Sequence, residues 1–172
     1  MGRDKALLPC GDGVLAQHVA ARVRSAAGSA ILIGDPDTYA HLGLPVVPDT
    51  CPGAGPLGGV HAALLHTRAD WNLVVACDMP RITTEILLDI LAAAERSQAG
   101  AVVPVAPSGL PEPACAAWHR SALAAVASAL DRGIRKITDA LSDLTVVWLP
   151  VGQVSYFQNV NTPEEWAGYA GG

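Results

Sequence analysis

Charged residues are scarce in this sequence. Of its 172 residues only 16% are Asp, Glu, Lys or Arg, against 51% that are hydrophobic, and a chain so rich in apolar surface can offset the entropy of ordering itself. General disorder is excluded. The 11 Lys and Arg are outnumbered by 16 Asp and Glu, for a formal charge of −5, so no basic field spans the sequence and nucleic acid is not expected as a partner. Any substrate phosphate must be met by a few placed cations, backbone N–H groups or a metal.

Long apolar runs are also missing. Ala, Val and Leu come in short blocks, none near the ~18 residues that a membrane span needs, so a soluble protein with no membrane partner is expected. The opening Met1–Gly2–Arg3–Asp4–Lys5 leads into Pro9–Cys10–Gly11 and not into a long apolar segment; no secretory signal is read there, and the expected compartment is the cytoplasm. Cys10, Cys51, Cys77 and Cys115 are far apart with no C-x-x-C pair, which signals neither a zinc site nor a disulfide framework. They read as reduced, structural thiols. His18, His41, His61, His66 and His119 show no metal-ligand spacing and read as structural or surface residues. The P-loop, the G-x-G-x-x-G fingerprint and the G-x-S-x-G elbow are all absent. There are no repeats, and at this length residues 1–172 make a single domain.

What is present alternates between strand and helix. Leu15, Val19 and Val23 recur at a helical period between Val14 and Ala27, with Gly28 closing the helix. Short apolar runs at Ala30–Ile33, Val46–Val47, Leu73–Cys77 and Ala101–Val103 each stop at turn residues and read as buried strands. Helices are predicted at Gly59–His66, Thr84–Ala94 with Thr83 or Thr84 as N-cap, Ser121–Leu130, Lys136–Leu141 and after Pro163, with a strand at Thr145–Leu149 and a loop over Pro107–Pro113. Fully apolar strands separated by helices predict an α/β fold, a three-layer α/β/α sandwich around a mostly parallel sheet.

In such a sheet the ligand crevice lies beyond the carboxyl ends of the strands. Asp35, Asp49 and Asp78 all follow apolar runs directly. Asp78, before the turn at Met79–Pro80, suits Mg²⁺ beside a phosphate, or it caps the next element; position alone leaves both open. Cys51 to Gly59 is a Gly- and Pro-rich loop opening a helix, where backbone N–H groups can meet an anion or a base edge, or which simply connects two elements. Lys5 can neutralise a phosphate or be a solvated surface charge. Asn159 and Asn161 share one side of an extended stretch before a helix start at Thr162–Pro163.

In this order, Met1–Gly2–Arg3–Asp4–Lys5, Gly55–Pro56–Leu57–Gly58–Gly59, Cys77–Asp78–Met79–Pro80 and Asn159–Val160–Asn161–Thr162–Pro163–Glu164 resemble the molybdenum cofactor guanylyltransferases. These belong to the wider, Rossmann-like class of sugar-nucleotide-like nucleotidyltransferases, and the likeness spans nearly the whole chain. It implies GTP and molybdenum-molybdopterin as substrates, Mg²⁺ as cofactor, pyrophosphate as leaving group and transient contact with cofactor-pathway proteins or molybdoenzyme chaperones. It also implies that Lys5 meets the GTP phosphates and that Asp78 holds Mg²⁺ and takes part in catalysis. Asp35, Asp49, Gly58 and Gly59 would lie along the nucleotide, the last two near guanine. Asn159 and Asn161 would face the reacting phosphates or the pterin, and Glu112–Trp118 stands where the family's pterin-side strand begins.

Two departures accompany the likeness. Asp35 stands where members often carry Asn, and the family's first strand with its Leu-Ala-Gly-Gly loop would come before Met1, so an N-terminally incomplete domain is expected. A cytidylyl-transferring relative and a non-catalytic remnant that binds a pathway partner are the alternative readings; the Gly55–Gly59 loop speaks against the first, and retention of Lys5 and Asp78 against the second.

Overall fold

The computed structural model describes residues 4–153, 155–160 and 165–166. A short hairpin of β1 (Pro9–Cys10) and β2 (Gly13–Val14) leads into α1 (Leu15–Ala27). That helix ends at Gly28, whose φ of 80° only glycine adopts without strain. There follow β3 (Leu32–Ile33), α2 (Pro36–Tyr39), β4 (Val46–Val47), α3 (Pro56–His66), β5 (Trp71–Val75) and α4 (Thr84–Glu95). Thr83 caps α4, its hydroxyl accepting from the Ile86 N–H. β6 (Ala101–Val105), β7 (Cys115–His119), α5 (Leu123–Asp131), α6 (Ile137–Ala140) and β8 (Val146–Pro150) complete the described elements. The helix expected after Pro163 falls largely outside the described residues.

Side chains of the strands alternate between two cores, as the pleat requires. Val102, Cys115 and Ala117 pack with Leu15 and Val19 of α1 and with Leu87 and Ile90 of α4. Ala101, Val103, Ala116 and Trp118 turn the other way, onto Leu57, Val60 and Leu64 of α3 and Val126 and Ala129 of α5. Helices therefore cover both faces of the sheet, which is the three-layer α/β arrangement expected from the sequence. Among the described residues no helix is long and apolar enough to cross a membrane.

The sheet is mixed within the mostly parallel pattern expected: β5, β6 and β8 run one way, and β7 runs against them. Its four strands run in the order β5-β7-β6-β8, and β7 is antiparallel to both β5 and β6, whereas β6–β8 and the separate pair β3–β4 are parallel. The physical reason is the connection after β6. It holds no helix to carry the chain back over the sheet, and it reverses direction through Gly109 (φ 83°) and a bridge between Val105 and Pro111. Strand limits shift as well: Pro104 lies inside β6, and β5 stops at Val75, with the Ala76 N–H adding one bond to the Ala114 carbonyl at 2.8 Å.

β3–β4 is not joined to β5 by a ladder. An apolar groove of about 270 Å³ lies between Leu32–Ile33 on one side and Leu73–Val75 on the other, with Ala63 and Ile137 in its lining. Leu32 and Gly34 spend their N–H groups on β4-side carbonyls, so by strand alternation Ile31 and Ile33 direct theirs towards the groove.

Candidate active site

Lys5 and Asp78, separated by 73 positions, meet at the carboxyl end of β5, with Lys5 Nζ 3.2 Å from Asp78 Oδ2. Lys5 opens a single 3-10 turn, Lys5–Leu7, whose N-cap is Asp4; one carboxylate oxygen of Asp4 accepts the Ala6 N–H at 3.0 Å. Asp78 stands three residues past β5, on a segment held from two sides. The Asp78 carbonyl accepts the Val160 N–H at 2.9 Å, and the His18 ring on α1 donates from Nε2 to the Pro80 carbonyl at 3.1 Å. Burial, with Arg22 beside it, holds the His18 imidazole below its ordinary pKa, so at neutral pH it acts as a neutral tether.

Next to this pair is a cavity of about 570 Å³ at the carboxyl ends of β3 and β4, lined among others by Asp4, Gly34, Asp35, Thr38, Tyr39 and Asp49. Its size suits a nucleoside. Asp4 lines the cavity while its neighbour Lys5 faces Asp78, so a triphosphate on a nucleoside in this cavity has a short path to the lysine and the carboxylate.

The structure brings most of the expected residues to this end of the sheet, with differing duties. Asp35 caps α2, accepting from the Asp37 N–H at 3.1 Å and from the Thr38 hydroxyl at 2.6 Å, and the hydroxyl bond holds its carboxyl below the usual range. Asp49 accepts the Cys51 N–H at 2.9 Å and so shapes the start of the glycine loop. Gly58 is buried behind Asp49, where a Cβ would come within 3.0 Å of the Ala54 Cβ and 3.4 Å of Asp49 Oδ1. Gly59 lines the apolar groove between β3 and β5. The first turn of α3 is already occupied, because the Leu57 N–H reaches the Arg135 carbonyl and the Gly58 N–H the Gly55 carbonyl. Asn159 is exposed, next to the Val160 that bonds Asp78; Asn161 lies outside the described residues.

None of the four cysteines is in a disulfide. Burial pushes Cys77, beside Asp78, up to about 11, and Cys115 up to about 12. Sequence reading overlooked Tyr39, whose hydroxyl donates to Asp4 at 2.5 Å. Its only signal there is an aromatic side chain one helical turn after an Asp-Pro cap.

A lysine and a carboxylate paired at the carboxyl end of a three-layer α/β sheet, beside a cavity of nucleoside size, mark a nucleotidyltransferase with a Rossmann-like core. The model of the MobA-like NTP transferase domain matches residues 1–144, and the chain belongs to that family. It is 35% identical over 171 residues to a probable molybdenum cofactor guanylyltransferase of Deinococcus radiodurans, covering 99% of this chain and 87% of that one. It is 31% identical to a protein of the same name from Carboxydothermus hydrogenoformans, over 96% of this chain and 86% of the relative. The crystal structure of molybdopterin-guanine dinucleotide biosynthesis protein A from Archaeoglobus fulgidus superposes with a TM-score of 0.82 at 27% identity, over 97% of this chain and 89% of that one. The chain is thus an enzyme, and its family gives it nucleotidyl transfer in molybdenum cofactor biosynthesis.

Proposed function

We propose that the protein transfers GMP from GTP to the terminal phosphate of molybdenum-molybdopterin, forming the guanine dinucleotide cofactor and releasing pyrophosphate. The observation that carries this reading is the Lys5–Asp78 pair at the edge of the cavity lined by Asp35 and Asp49. A phosphate oxygen of the acceptor attacks the α-phosphorus of GTP; the new bond joins that oxygen to phosphorus, and the α–β bridging bond breaks with its electrons leaving on pyrophosphate. Two anions are brought together, so the work of the site is charge neutralisation and alignment.

Lys5 supplies the cation for the triphosphate. The side chains of Lys5 and Asp78 are 33% and 19% exposed, so the lysine is accessible to an incoming phosphate and the carboxylate is partly shielded from water. Among the described residues no group of three or more His, Cys, Asp or Glu could hold a metal alone. Asp78 would be the protein ligand for Mg²⁺, which is commonly held by one or two carboxylates together with substrate phosphates and water. When bound, Mg²⁺ withdraws charge from the phosphate oxygens and lowers the cost of the approach. Asp35 and Asp49 frame the cavity for the nucleoside, and Asn159 lies on the acceptor side.

The assay is pyrophosphate release with molybdenum-molybdopterin, Mg²⁺ and GTP, CTP or ATP in turn, with calorimetric titration of each nucleotide. GTP is expected to bind best and to turn over, and Lys5→Ala to lower turnover about a hundredfold or more while leaving a measurable residual rate. A clear preference for CTP would move the assignment to a cytidylyl transferase. Binding with no transfer under any of these conditions would refute catalysis.

A further inference from the structure

We infer that Tyr39 is a positioning residue for this reaction: its hydroxyl holds Asp4, and the turn that Asp4 caps holds Lys5 against Asp78. The inference rests on the reading of Lys5 and Asp78 given under the proposed function.

The chain of contacts is continuous. Tyr39 ends α2 and donates to one oxygen of Asp4 at 2.5 Å. The other oxygen of Asp4 accepts the Ala6 N–H at 3.0 Å, and Lys5 lies between the two residues so joined. Ala6 is buried with Ala16 and Leu42, in a cluster against which Tyr39 and Cys77 also pack. The turn is therefore fixed behind by Ala6 and in front by Asp4, and the direction of Lys5 towards Asp78 follows from both.

Two further features suit Tyr39 to this duty. Burial, followed by the hydrogen bond to the Asp4 carboxylate and its charge, holds the phenol well above its ordinary range, so it remains a donor throughout neutral pH. A Cβ on Gly34 would stand 2.6 Å from Cε2 and 2.8 Å from Cδ2 of the Tyr39 ring. Gly34 is not among the glycines with positive φ, so what the glycine supplies is room: the ring lies against bare backbone, and from there its hydroxyl reaches Asp4.

Tyr39 also lines the cavity, and a residue that only touches the nucleoside would act on KM. A positioning residue acts on kcat, and only while Lys5 is present. The experiment uses the full chain with Tyr39→Phe, Asp4→Asn and Asp4→Ala, each alone and on a Lys5→Ala background, and follows amide exchange at Ala6. Tyr39→Phe should lower kcat by about tenfold, the usual effect of losing one hydrogen bond to a charged group, with KM for GTP little changed. On the Lys5→Ala background it should cost nothing further. In Asp4→Asn the amide oxygen can still accept the Ala6 N–H while the amide N–H donates to the Tyr39 hydroxyl oxygen, so most of the turnover should be kept, whereas Asp4→Ala, which loses both bonds, should cost at least as much as Tyr39→Phe.

Exchange at Ala6 should quicken by about tenfold in Tyr39→Phe. Gly34→Ala, which displaces the ring but keeps the hydroxyl, should reproduce both effects. A rise in KM alone, additive losses on the Lys5→Ala background, or unchanged exchange at Ala6 would overturn the inference. If the parent transfers no nucleotide at all, the reading of the reaction fails, and the exchange at Ala6 still decides by itself whether Tyr39 holds the turn.

Discussion

Replacing Asp78 by Asn separates charge from shape at the centre of the site. The amide has the outline of the carboxylate, and the backbone bond from the Val160 N–H to the residue 78 carbonyl is untouched. What is lost to stability is the ion pair with Lys5, whose members are 33% and 19% exposed. Pairs of such exposure contribute about 1 kcal/mol or less, and in a chain of this length that lowers Tm by about 2–4 °C. Catalysis loses more, because the site has to bring a phosphate nucleophile to a triphosphate. Removing one charge-stabilising group from such a site commonly costs about 2.7 kcal/mol or more in the transition state, roughly a hundredfold in rate. The expected signature of Asp78→Asn is therefore a near-parental melting curve with transfer reduced at least a hundredfold. Melting followed by circular dichroism and pyrophosphate release at saturating GTP and Mg²⁺ measure the two sides. Transfer within about threefold of the parent would refute the role of Asp78, and a collapse of the melting transition would show that the carboxylate holds the fold instead.

Gly58→Ala puts a methyl 3.0 Å from the Ala54 Cβ and 3.4 Å from Asp49 Oδ1, so it should cost about 1–3 kcal/mol by overpacking and weaken nucleotide binding through Asp49; chemical denaturation and calorimetry check both, and parental values would mean the loop can yield. Cys77 and Cys115 are pushed up to about 11 and about 12, so the folded state keeps protons that the unfolded state gives up at about pH 8.5. Raised folded pKa values mean stability is fully present below that pH and falls as pH rises from about 9 towards 11, which melting at pH 7, 9 and 10.5 will show. Ser at both positions should flatten that decline.

The local elements of this protein are written in its sequence because their causes are local. The spacing of Leu15, Val19 and Val23, the stop at Gly28 and the Thr83 cap each act within a few residues, and the structure has α1 and α4 within a residue or so of where they are expected. Apolar runs ending in Asp35, Asp49 and Asp78 put three carboxylates at one end of the sheet for the same reason: a buried strand must leave the core before it can carry a charge. The direction of β7 was not legible. It depends on the missing helix after β6 and on which edge of β5 was open, and alternation of side chains looks the same whichever way a strand runs. Nor could spacing reveal that Lys5 meets Asp78 across 73 positions, that Tyr39 reaches Asp4 across 35, or that Gly58 turns inward behind Asp49. Such contacts belong to no single segment. They arise when packed helices close loops of unrelated length over one end of a sheet, so periodicity determined the elements and tertiary packing determined which polar side chains became neighbours.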